Sequence, residues 1–184
     1  MPDLVIPVVD PAAPEWEERI RRWADDAAAS LGAGGWTEDS QDPEDRQGRI
    51  ASLLCLAVLI ESSARIGAAA TASRPRSIRQ GNTARIADDP QMRQLVAGSR
   101  AEAALAGAAV RAVLAGHAPV EEILVAVAGI SERLTTELFD TLGASATLEE
   151  KGLHRLWLAH QRWTACAGLA AARDRVAASV LDPS

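Results

Sequence analysis

Apolar positions along this chain recur with a helical period, and the polar residues between them fall where helices start and stop. Trp16, Ile20, Trp23, Ala27 and Leu31 lie three and four residues apart, which makes one stripe of an amphipathic helix. Asp10-Pro11 is expected to cap that helix, with Glu15, Glu17 and Glu18 at the positive end of its dipole and Gly32, Gly34 and Gly35 ending it. Asp42-Pro43 opens a second helix by the same device, a capping aspartate followed by proline at the first helical position. From Ile50 to Ile60 this helix is apolar nearly all round, so it is predicted to be the most buried element, running to about Ala70.

Asp89-Pro90 starts a third helix and Gly116 ends it. Ala97, Ala101, Ala104, Ala108, Ala112 and Ala115 share one flat face of it. That face is expected to let a neighbouring helix approach towards the short end of the usual range of about 8–10 Å between axes. Val120, Ile123, Val127, Ile130, Leu134 and Leu138 form the core stripe of a fourth helix, which Gly143 terminates. Thr147-Leu148-Glu149-Glu150 fits a capping box for a last helix, read as continuing to Leu181 and therefore about 50 Å long at 1.5 Å per residue.

The predicted architecture is all-α: an antiparallel bundle of about five helices, four long core helices plus the N-terminal amphipathic one. Residues 1–184 read as a single domain, with 32–45 as a mobile acidic loop and 73–82 as an arginine-rich loop. Composition agrees. Alanine, the best helix former and a poor strand former, dominates the 48% hydrophobic content, and there are five Trp, one Phe and no Tyr. Lys151 is the only lysine among 19 basic residues, a bias of the kind a GC-rich bacterial genome imposes.

The net charge of −6 argues against general affinity for nucleic acid or anionic membranes. Charge is unevenly spread: −7 over residues 1–50, +4 over 51–116 and −3 over 117–184. Arg74, Arg76, Arg79 and Arg85 make a basic cluster, but no helix-turn-helix spacing or phosphate loop accompanies them, so pairing with the acidic segment 38–45 is the simpler role. Met1-Pro2-Asp3 lacks the layout of a secretory leader, and the run between Arg49 and Glu61 is short for a bilayer. Cys55 and Cys166 sit within apolar helical segments, as reduced core residues do. A cytoplasmic protein is expected.

Chemistry is sparse. No Glu-x-x-His occurs, and His154 and His160, six residues apart, lie about 240° apart on a helix and cannot chelate one ion. Glu150 and His154 share a face, which reads as an ordinary surface pair. No metal and no cofactor is expected. There is no nucleophile elbow, Walker loop or dinucleotide fingerprint, and Ser62 and Ser63 read as small packing residues.

One polar constellation stands out. Glu61 ends the apolar run with Arg65 one turn later, a pair that forms an ion pair at the core rim, or a carboxyl of raised pKa if it points inward. His160 lies in the apolar stripe of the last helix, flanked by Trp157 and Trp163. Two function classes follow. The first is a non-catalytic, self-associating binding or accessory module, most simply a homodimer, with Trp36 as a loop anchor for a partner. The alternative is a small cofactor-independent enzyme or receptor for an apolar ligand. There Glu61 and His160 transfer protons, Arg65 or Arg100 holds an anionic group, and Trp157 and Trp163 enclose the ligand.

Overall fold

The computed structural model of the chain describes residues 4–30, 46–73, 85–142 and 152–181, and the structural statements below concern those residues. Among them there is no strand. Six helices pack together: α1 Trp16–Ser30, α2 Arg46–Ser73, α3 Pro90–Leu114, α4 Val120–Leu142, α5 Leu153–Cys166 and α6 Leu169–Leu181, with a short 3-10 turn at Ile86–Asp88.

The second helix is the axis of the fold. It packs against α1, α3, α4 and α5, and every residue from Gly48 to Ile60 is buried. This is what an all-round apolar helix must do to remove its surface from water. By length and composition Gly48–Ser73 could cross a bilayer, but 83% of its 18-residue apolar window, of mean hydropathy 1.7, is already buried inside the protein. The second and third helices are tied by Arg100–Glu61, the second and fourth by Arg49–Glu121, the third and fourth by Arg133–Glu102, and the fifth and first by Arg162–Glu17. Arginine suits this use because its planar fork reaches a carboxylate across a helix seam.

Local signals are realised at α3. Asp89 accepts from the Gln91 amide with Pro90 at the first helical position. At the other end Gly116 adopts φ 73°, while its own amide and that of His117 close back on Val113 and Ala112. This double closure satisfies carbonyls that a helix end leaves open. The five residues Ala115–Pro119 then reverse the chain into α4, so these two packed helices run antiparallel.

Three expectations are corrected. The first helix does not begin at Asp10-Pro11. Pro14 lacks the N–H that would close the first α-turn onto the Asp10 carbonyl; Ala13 donates to that carbonyl instead, and Asp10 Oδ1 accepts from Ala12 in a turn. The helix starts at Trp16.

The last helix is not continuous. Gly168 takes φ 61°, donates to the Ala165 carbonyl and breaks the element into α5 and α6, and α6 packs on α4 instead of projecting. The alanine face of α3 is also outward: Ala97, Ala101, Ala104, Ala108 and Ala115 are exposed, whereas Ala103, Ala106, Gly107, Val110 and Val113 are buried. Both sides of this helix are built from small residues, so residue size does not distinguish inside from outside.

Between residues 4 and 11 the chain runs as an extended strap across the bundle. Ile6 packs onto the bare Cα of Gly107, where a Cβ would stand 3.3 Å from its Cδ1. The Val9 amide donates to the buried hydroxyl of Ser62 at 3.1 Å, and the strap then reaches α5 at Gly152. Here Gly152 has φ 60°, and a Cβ would lie 2.4 Å from the Pro11 carbonyl oxygen. Only glycine fits there. The expected N-cap at Asp42-Pro43, the capping box 147–150, the helix stops at Gly32–Gly35 and Gly143, and the two loops at 32–45 and 73–82 (beyond Ser73) lie outside the described residues.

Candidate functional site

Glu61 immediately follows the most buried stretch of α2, with its side chain only 13% exposed. Its Oε1 accepts from Arg65 Nε at 2.6 Å and from Arg100 Nη1 at 2.9 Å, so one carboxylate oxygen ties α2 to α3. Burial pushes the Glu61 carboxyl up, but the hydrogen bonds and charges of the two arginines outweigh it and hold the pKa below the ordinary 4.5. A carboxylate locked ionised between two cations is a poor proton donor near neutrality. The two arginines considered as anion holders are thus brought together, and the anion they hold is Glu61 itself.

His160 is buried on the inner face of α5, where its Nδ1 shares a 3.0 Å hydrogen bond with the Oγ of Ser131, itself fully buried on α4. Burial pushes the imidazole pKa below 6.5, and the charge of nearby Glu132 offsets that only in part. The ring is therefore neutral at pH 7, with a hydroxyl partner supplied by the packed neighbour. No hydrogen bond joins Glu61 to His160 among the described residues; each is satisfied by a different helix.

The two tryptophans expected to wall a ligand face different environments. Trp163 is sealed in the core, edge-on to Trp16 with ring centroids 6.2 Å apart. Trp157 points outward and is 41% exposed. Six residues separate them, which turns their side chains about 240° apart around α5. The structure does not bring the two rings onto one wall.

Two depressions bear on ligand binding. At the seam of α2, α3 and α4 a cavity of about 10 Å³ lies beside Ser63, Gly67, Ser99 and Leu138. That is about the room of a single water molecule and too little for an organic ligand. The Ser63 Oγ is buried there without a hydrogen-bond partner, unlike the adjacent Ser62 that holds the strap. A second, shallow and open groove of about 620 Å³ runs between the start of α1 and α5. Its α1 side carries three acidic residues, Glu15, Glu17 and Glu18, and one basic residue, Arg21, while its α5 side carries Arg155 and Arg162 with His154 and Leu158.

This groove was missed by reasoning from sequence, although exposed Trp157 and Leu158, consecutive on α5, were the available signal. Of the basic cluster, Arg74, Arg76 and Arg79 lie outside the described residues, while Arg85 donates to the Ala72 carbonyl at 3.2 Å. Trp36, Glu150 and the acidic segment 38–45 also lie outside them, and His154 is exposed at the groove. Cys55 and Cys166 are not joined by a disulfide. Among the described residues no three His, Cys, Asp or Glu side chains are grouped to hold a metal ion. No protein-family model matches the chain, and no curated protein matches it significantly in sequence.

Proposed function

We propose that this protein is a non-catalytic, self-associating helical-bundle module of the bacterial cytoplasm that works through its outer surface as a homodimer. The observation that carries this reading is a contrast between satisfied ionisable groups inside and exposed apolar side chains outside. Inside, the ionisable groups are quenched in place: Glu61 by Arg65 and Arg100, His160 by Ser131. Outside, large apolar side chains stand in solvent on α5, with Trp157 41% and Leu158 46% exposed.

Catalytic sites concentrate unsatisfied polar groups in a pocket, whereas association surfaces present aromatic and aliphatic groups outward. Proton transfer by Glu61 and His160 on an enclosed apolar ligand draws no support from this arrangement. Nor does a role in holding nucleic acid, since the net charge is −6. Sedimentation velocity over a wide concentration range tests the reading. A dimer in reversible exchange with monomer is expected; a monomer at every concentration contradicts it.

A further inference from the structure

The α1–α5 groove carries an inference that rests on the self-association just proposed and specifies its surface. On the outer face of α5, Trp157 stands out as a knob and its neighbour Leu158 lines a groove of about 620 Å³. Knob and hole therefore sit side by side on one helix. A two-fold axis needs such a patch, because each subunit then offers the other what it receives.

The charges obey the same rule. The α1 wall is net acidic, with Glu15, Glu17 and Glu18 against one Arg21, the α5 wall is basic at Arg155 and Arg162, and rotation by half a turn lays acid on base twice. Within one chain this complementarity is only partly used. Glu17 takes Arg162 at 2.6 Å, Glu18 has an intrahelical Arg22 at 3.7 Å, and Arg155 makes a single long hydrogen bond of 3.4 Å to the Pro11 carbonyl. Glu15 has no ion pair among the described residues. Two copies that each carry a net charge of −6 repel at long range, and local pairing of opposite signs offsets that repulsion.

We propose that this face is an isologous homodimer interface in which Trp157 enters the α1–α5 groove of the partner subunit beside that subunit's Leu158, with the acidic wall of each chain against the basic wall of the other. A second copy of the chain is the occupant because one face holds both halves of a complementary pair. Aromatic knobs seated in such grooves dominate binding energy, while the surrounding charges set register and salt dependence.

The experiment is sedimentation velocity on the full chain and its Trp157→Ala, Leu158→Asp and Leu105→Asp variants, each first checked for unchanged helix content by circular dichroism at low temperature. Trp157 and Leu158 are exposed, so their variants are expected to fold. Trp157→Ala should weaken dimerisation by about 30-fold or more, as truncating a hot-spot residue does. Leu158→Asp should give monomer, and Leu105→Asp, on the α3 face, should change nothing.

A mixing arm isolates the charges. Chains carrying Glu15→Arg with Glu18→Arg should self-associate poorly, as should chains carrying Arg155→Glu, yet the two together should form a heterodimer. A wild-type dimer that survives the Trp157 and Leu158 changes, or that Leu105→Asp dissociates, overturns this interface while leaving self-association standing. A wild-type monomer overturns both.

Discussion

Acidification should destabilise this protein through a single buried ring. His160 has a folded pKa held below 6.5 by burial, offset in part by Glu132, while in the unfolded chain it titrates at the ordinary value. The unfolded state therefore binds more protons below that value, so the neutral ring's contribution to stability is complete above pH 6.5 and is lost as pH falls beneath it. The limiting slope is about 1.36 kcal/mol per pH unit, so going from about pH 7.5 to about pH 5.5 removes at most about 1.4 kcal/mol for a folded pKa below the lower end.

The perturbation is His160→Asn, which keeps an amide near the position of Nδ1 to meet the Ser131 hydroxyl but cannot titrate. Urea denaturation of both proteins at the two pH values measures the difference, and the shared carboxylates cancel in the subtraction. The variant is expected to be less stable at neutral pH, because a smaller side chain fills the site, yet to lose less on acidification. Equal losses in the two proteins, or a wild type that gains stability at the lower pH, would refute the assignment of a buried neutral imidazole.

Other consequences follow from the strap and the seams. Gly152→Ala forces a Cβ to 2.4 Å from the Pro11 carbonyl at φ 60°, and should cost more than about 2 kcal/mol by thermal melting; an unchanged midpoint would mean the strap is not seated there. The adjacent serines should respond in opposite ways. Ser62→Ala strands the buried Val9 amide and should cost about 1–3 kcal/mol, whereas Ser63→Ala removes a hydroxyl that has no partner and should be neutral or stabilising. Glu61→Gln leaves Arg65 and Arg100 facing each other and should cost about 0.5–1 kcal/mol at low ionic strength, shrinking as salt is added.

What the sequence reveals divides along physical lines. Features set by neighbours in the chain were legible: the cap at Asp89-Pro90, the stop at Gly116, and the central place of α2, whose apolar residues leave no face for solvent. Features set by distant partners were not. Glu61 and Arg65 are one turn apart and readable as a pair, but Arg100 joins them from another helix and reverses the effect of burial on the carboxyl. Ser62 read as filler and Ser131 was not singled out, since nothing near them in sequence announces a strap amide or an imidazole as partner.

The outward turn of the α3 alanines has another cause. A helix with small residues on both sides gives a reader little hydrophobic asymmetry to use, and packing on α2 and α4, with Ile6 over Gly107, sets the inner face. Gly168 was not singled out as a stop. The apolar residues on both sides of it kept the helical pattern running, and packing of α6 on α4 decided the break.

Native-state hydrogen exchange along α2 tests most directly the idea of a filled interior with its ionisable groups satisfied. The amides from Leu53 to Ile60 should be the slowest in the chain and should open only with global unfolding, at the free energy that denaturation gives. Exchange of those amides through local opening, well below the global value, would mean that α2 lines a space that admits solvent or ligand, and the surface-acting module would have to be abandoned.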